Sequence, residues 1–207
     1  MLVITGTLFF FHHRGHGGHG VLLIKQKKLY VLCALCGEFP YLCSVMEKFE
    51  LHILGCGSAL PTTRHFATSQ VVNVRDKLYM IDCGEGSQLQ FRKSRLKFSR
   101  LNHIFISHLH GDHCFGLLGL ISTLNLLGRT AELHIHSPKG LEALFVPMLS
   151  FFCRQMTYKV LFHEFETKEP GMIYEDRSLT VTTIPLRHRM PCCGFLFAEK
   201  QRPNHII

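Results

Sequence analysis

Three histidines and an aspartate crowded into six positions constrain the fold of this chain more than any other feature. The segment 107–113 reads SHLHGDH and directly follows an apolar, strand-like stretch. His108 and His110 are two positions apart, so in an extended segment both side chains point to the same side. Asp112 and His113 are adjacent, so the same reasoning makes them point apart. The pattern predicts a metal site at the end of a β-strand.

The donor atoms of this segment restrict the metal. Neutral imidazole and carboxylate together suit zinc, manganese or iron(II). An ion with open coordination positions lowers the pKa of a bound water and makes hydrolysis possible near neutral pH. The alternative is a histidine-rich surface loop at a strand end, since short motifs also arise by chance.

Composition indicates one globular domain with an anionic partner. The chain has 207 residues, 46% of them apolar, and a formal net charge of +8. This charge favours RNA or DNA as the partner, although solubility alone could account for it. No apolar stretch is long enough for a transmembrane helix, so we expect no membrane association. The nine cysteines, an odd number, predict reduced thiols in a cytoplasmic protein, with Cys56, Cys83, Cys114 and Cys153 at buried positions.

The chain divides into two parts of different character. Residues 1–45 contain a low-complexity His/Gly tract at 12–20 and a CxxC at 33–36 without a partner pair. We expect this part to be an N-terminal extension that is disordered or not native, with Met46 as the natural start. Residues 46–207 form the predicted domain, which is incomplete at its C-terminus.

Within 46–207, apolar runs separated by turn residues predict a sheet-rich fold of the α/β (α+β) class. The many strands and few helices favour two sheets packed face to face, with helices outside them. The predicted strands are 49–54, 71–74, 78–81, 101–106, 133–136, 158–165, 172–174, 179–184 and 194–199. The predicted helices are 86–97, 115–127 and 140–152.

Four separate segments resemble one protein family. HLHGDH at 108–113 matches the HxHxDH signature of the metallo-β-lactamase superfamily. LGCGSALPT at 54–62, IDCGEGSQ at 81–88 and PLRHRMPCCG at 185–194 resemble ribonuclease Z. The resemblance implies a metallo-β-lactamase αββα sandwich, here mainly its N-terminal half. It also implies a cytoplasmic, homodimeric, zinc-dependent endoribonuclease that removes 3′ trailers from tRNA precursors.

The resemblance assigns metal-binding roles to particular side chains. His108, His110 and His188 would bind the first ion. Asp112 and His113 would bind the second ion, and Asp112 would also accept a proton from the attacking water. The family holds two Zn²⁺ per site, and Mn²⁺ or Fe²⁺ would suit the same ligands. For His188 the alternative is a cationic loop residue.

Other side chains have two interpretations each. Asp82 resembles an aspartate that orients a metal-binding imidazole, as metal sites generally require, or it stabilises a turn. Arg187, Arg189 and Arg64 are candidates for substrate contact, or ordinary surface charges. The N–H groups at the start of the predicted helix 115–127 would attract phosphate.

The sequence departs from the family at its end. The family's bridging aspartate and a further histidine ligand have no match after His188, so we expect impaired activity in this chain. Two alternatives stay open. One is another hydrolase of the same fold, acting as a phosphodiesterase or arylsulfatase. The other is an inactive fragment that binds RNA or a partner.

Overall fold

The structure is a computed structural model that describes residues 8–12, 21–25, 49–60 and 62–200. Residues 8–12 and 21–25 are described as strands by their backbone alone. The remainder of 1–45, including most of the His/Gly tract and the CxxC, lies outside the described residues, as does Met46. The assignment of 1–45 as a separate extension therefore stays a prediction.

The larger sheet contains six strands in sequence order. They are β3 (Phe49–Gly55), β4 (Ser69–Val74), β5 (Lys77–Ile81), β6 (Leu101–Phe105), β7 (Leu133–Pro138) and β8 (Val160–Phe165). Strands β3 to β5 pair antiparallel, and β5 to β8 pair in parallel. The carboxyl ends of the parallel strands therefore share one edge, and the histidine motif follows β6 at this edge.

In the part of the chain that the structure describes, the smaller sheet has five strands in the order β1-β2-β11-β10-β9. They are β1 (Leu8–His12), β2 (Val21–Lys25), β9 (Met172–Glu175), β10 (Leu179–Pro185) and β11 (Cys193–Glu199). Strands β9, β10 and β11 pair antiparallel, whereas β2 lies parallel to β11. The loop that carries His188 connects β10 to β11 and reaches the same edge as the motif.

Among the described residues, four α-helices accompany the sheets. They are α1 (Ser87–Lys93), α2 (Gly111–Cys114), α3 (Gly116–Leu126) and α4 (Leu141–Phe152). Helix α3 buries Leu117, Leu120, Ile121 and Leu124. This i, i+3, i+4, i+7 spacing places all four on the face that packs against the six-stranded sheet.

Two apolar cores hold these layers together. One lies between the helices and the six-stranded sheet and includes Met80, Ile104 and Leu120. The other lies between the two sheets and includes Val72, Phe105 and Phe195. Strands β4 and β5 contribute to both cores because neighbouring residues point to opposite faces. The predicted packing of sheet on sheet with flanking helices is confirmed.

One predicted helix agrees with the structure and another was too long. The helix expected over 115–127 is observed as α3, Gly116–Leu126. Helix α2 ends before it, and the N–H of Gly116 donates to the carbonyl of Cys83 at 2.8 Å. The helix expected over 86–97 ends at Lys93, and Arg95 has a left-handed φ of 55° that no α-helix accommodates. A 3₁₀ turn follows at Phe98–Arg100.

The cysteines of the described residues are free thiols, as predicted. Cys83, Cys114 and Cys153 are buried, but Cys56 is exposed, contrary to prediction, because it lies in the turn after β3. Among the described residues, no helix is long and apolar enough to cross a membrane.

Candidate metal centre

The first part of the site forms where β6 gives way to α2. His110 is the residue before α2 and has extended backbone angles, φ −76° and ψ 148°. The alternation of an extended segment therefore holds up to this point, and His108 and His110 project to the same side. Nε2 of His108 lies 3.0 Å from Nδ1 of His110.

His188 completes this part from a distant segment. Its Nε2 lies 3.3 Å from Nδ1 of His110, and one nitrogen of each of the three rings lies within 4.8 Å of the others. Zn–N bonds of about 2.0–2.1 Å in tetrahedral geometry put ligand nitrogens about 3.3 Å apart. The three imidazoles therefore fit a zinc-sized ion.

Burial favours the protonation state that metal binding requires. His108 is almost fully buried, and this burial, reinforced by neighbouring His113, lowers the pKa of His108 to about 3. Its imidazole is therefore neutral at pH 7, with one ring nitrogen free to bind a cation.

Asp112 and His113 form a second donor pair on α2. Oδ2 of Asp112 lies 3.6 Å from Nε2 of His113. We expected these adjacent side chains to point apart, and that was wrong. They belong to a helical turn, where successive side chains diverge by about 100° rather than 180°.

Asp82 holds His113 from behind. It follows β5 in a left-handed conformation, φ 54°, and is 2% exposed. Nδ1 of His113 lies 2.7 Å from its Oδ2. Burial opposes protonation of His113, but the Asp82 carboxylate outweighs it, so the pKa of His113 is raised. Of the two interpretations of Asp82, the geometry favours the one in which it orients an imidazole.

The arginines proposed for substrate contact are all exposed. Arg187 and Arg189 flank His188 on the loop between β10 and β11, and Arg64 lies on the segment before β4. Exposure is compatible with substrate contact and with ordinary surface charge, so both interpretations stay open.

The phosphate contact expected at the start of the second helix is not available at Gly116. Its N–H is already bonded to Cys83, as described above, and α2, which contains the second half of the motif, precedes α3.

A buried serine was missed by the sequence interpretation. Ser107 lies between Asp82, His108 and His113, and its position directly before the motif was the available signal.

Comparison with known proteins identifies the family. Residues 49–202 match the family model described as Anti-Pycsar protein Apyc1. The chain belongs to this family. The curated relatives of this chain are named Ribonuclease Z, so its sequence is similar both to the Apyc1 family model and to ribonuclease Z.

The Ribonuclease Z of Bacteroides thetaiotaomicron is 85% identical over 162 residues, which are 78% of this chain and 51% of that protein. The Ribonuclease Z of Bacteroides fragilis is 83% identical over 162 residues, which are 78% of this chain and 53% of that protein. The chain therefore spans about half the length of the curated relatives it matches. The predicted resemblance to ribonuclease Z is confirmed.

Solved structures agree on the fold. The short form of human tRNase Z superposes with a TM-score of 0.67 at 30% identity, covering 73% of this chain and 66% of that one. The metallo-beta-lactamase fold protein YhfI from Bacillus subtilis superposes at 0.52 with 17% identity, covering 70% and 56%. The predicted metallo-β-lactamase fold is confirmed. This fold and the histidine cluster together indicate a divalent metal site.

Proposed function

We propose that this Apyc1-family chain supplies the metal-binding part of a zinc-dependent endoribonuclease that removes 3′ trailers from tRNA precursors. The observation that carries the proposal is the convergence of three imidazole nitrogens from two distant segments. The names of the 85% and 83% identical relatives support the choice of substrate.

The candidate ligands form two groups, one for each proposed metal position. His108, His110 and His188 would hold one ion, and Asp112 with His113 would provide two donors for a second. Ions at these positions would supply Lewis acidity, which lowers the pKa of water and stabilises charge on the phosphate. The Asp112 carboxylate would accept the proton that the attacking water releases.

The proposed partners follow from charge and from the relatives. A net charge of +8 attracts an RNA backbone, and Arg187 and Arg189 would contact phosphates beside His188. A homodimer and a cytoplasmic location are proposed on the resemblance to ribonuclease Z, and the free thiols are compatible with that location. Zinc is proposed over manganese or iron(II) because three imidazoles form its open sites.

Cleavage of a tRNA precursor with a 3′ trailer tests this function. The purified chain would be incubated with zinc or manganese, beside the full-length B. thetaiotaomicron relative as the reference. We expect cleavage at the trailer that is weaker than that of the reference and that H108A abolishes. No cleavage by the chain under conditions in which the reference is active, with two ions bound per chain by native mass spectrometry, would contradict the proposal.

A second candidate is another hydrolase of the same fold, either a phosphodiesterase or an arylsulfatase. The match to a family model described by a different name, Anti-Pycsar protein Apyc1, favours keeping it. Bis-p-nitrophenyl phosphate and p-nitrophenyl sulfate would be assayed beside the tRNA precursor. Preferential hydrolysis of a small ester would favour this candidate.

A further inference from the structure

The side chain of Ser107 contacts one histidine from each of the two proposed metal positions. It is 1% exposed. Its Oγ lies 3.0 Å from Oδ2 of Asp82, 3.1 Å from Nδ1 of His108 and 3.2 Å from Nδ1 of His113. Its backbone N–H donates to Oδ1 of Asp82 at 2.8 Å. The hydroxyl is therefore fixed between one carboxylate and two imidazoles.

The single hydroxyl proton of Ser107 has a preferred acceptor. A hydrogen bond to an ionised carboxylate is stronger than one to a neutral imidazole. The hydroxyl therefore donates to Asp82, and its oxygen lone pairs face His108. A lone pair can only accept, so Nδ1 of His108 must carry a hydrogen and donate it to Ser107.

This arrangement decides which nitrogen of His108 is free. A neutral imidazole with hydrogen on Nδ1 has its lone pair on Nε2. Nε2 is the atom that lies 3.0 Å from His110. We propose that Ser107 is a positioning residue that holds His108 in the Nδ1–H form, so that Nε2 points its lone pair into the three-histidine position. The metal-binding consequence rests on the proposed function.

One carboxylate then orients ligands of both metal positions. Asp82 accepts directly from Nδ1–H of His113 at 2.7 Å, and it holds His108 through the Ser107 hydroxyl. In the reverse arrangement, Ser107 would donate to Nδ1 of His108 and the hydrogen would sit on Nε2. In that form Nε2 carries a hydrogen and has no lone pair for a metal. The two arrangements place the hydrogen on different ring nitrogens, so NMR spectra of His108 can distinguish them.

Zinc affinity gives the first test. The full chain would be titrated with zinc against a fluorescent chelator as wild type, S107A, S107T and S178A. Loss of an outer contact to a metal ligand typically costs about 10–100-fold in affinity, so we expect this loss in S107A and recovery in S107T, which keeps the hydroxyl. S178A removes a buried serine directly before β10, at the end of this strand opposite to the His188 loop, and should bind zinc like wild type.

The tautomer of His108 gives the second test and needs no variant. Long-range ¹H–¹⁵N spectra of the metal-free wild-type chain should show His108 with hydrogen on Nδ1, and S107A should show a mixture of both forms. Hydrogen on Nε2 in wild type, or equal zinc affinity of wild type and folded S107A, would overturn the proposal. Neither readout uses RNA. A chain that passes both tests but leaves tRNA precursors intact would therefore contradict only the proposed function.

Discussion

A second group of histidines, remote from the metal centre, makes the stability of this fold depend on pH. His103, His134, His136 and His163 stack across β6, β7 and β8, with ring centroids 4.8 Å apart for His103–His134 and for His136–His163. Tyr174 of β9 packs against two of them, with its ring centroid 4.2 Å from that of His103 and 5.6 Å from that of His136. We call this group the histidine ladder. The inner imidazoles, those of His103 and His136, are packed where a positive charge is poorly solvated.

The ladder disfavours protonation of its inner members. Burial, followed by the neighbouring imidazoles, lowers the pKa of His136 to about 3. Burial and His134 likewise lower the pKa of His103 to about 3, although Asp176 acts in the opposite direction. Nδ1 of His136 is buried without a hydrogen-bond partner among the described residues, so a proton on this nitrogen would have no acceptor there.

The sign and size of the effect follow from these values. The unfolded chain, with a histidine pKa of about 6.5, binds more protons than the folded chain between pH 6.5 and pH 3. Stability is therefore present above pH 6.5 and is lost as the pH falls below it. From pH 7 to pH 5, one such histidine costs about 2 kcal/mol by linkage. Nδ1 of His103 lies 3.2 Å from Nε2 of His136, and the two rings repel each other when both are charged. The stability losses from protonating them are therefore coupled.

Urea unfolding followed by circular dichroism at pH 7, 6 and 5 measures this loss. H136F removes one titrating ring and keeps an aromatic stack on Phe105, whose centroid is 4.5 Å away. We expect the variant to lose about 2 kcal/mol less than wild type between pH 7 and pH 5. H65F, which replaces an exposed histidine, is the control. An identical loss in wild type and H136F, or stability that rises as the pH falls, would refute the reasoning.

Three further predictions concern the site and the packing beneath it. D82N should weaken zinc retention during dialysis against a chelator by about 10–100-fold, because the imidazole of His113 loses its anionic hydrogen-bond partner. H110A should lower the zinc count by native mass spectrometry, since its Nδ1 lies between the other two imidazoles. G116A should destabilise the chain by about 1–3 kcal/mol or more in thermal unfolding, because its Cβ would meet a backbone oxygen at 2.1 Å. G119A should cost less, since it would meet the flexible end of Gln88.

The strands could be predicted from the sequence because their signals are local. Apolar runs such as those of β4 and β5 stand between turn residues, and the observed bounds differ by one or two positions. The interruption between α2 and α3 could not be predicted in this way. It depends on a hydrogen bond between Gly116 and Cys83, residues that are far apart in sequence.

The candidate site shows the same difference between local signals and long-range contacts. His108, His110, Asp112 and His113 lie in one short segment, and their spacing alone indicated a metal site. His188 was identified only through a family resemblance, because nothing local distinguishes it from a loop histidine. The ladder was not recognised at all, since it depends on the register of three parallel strands.

Ring orientation explains why one histidine group fits a metal and the other does not. In the metal centre the rings of His108 and His110 are inclined at 72°, and those of His110 and His188 at 78°. Nitrogen lone pairs lie in the ring plane, so inclined rings can direct them to a common point. In the ladder the rings of His103 and His134 are inclined at only 14°. Their lone pairs then run side by side, and among the described residues only the first group brings three such atoms together.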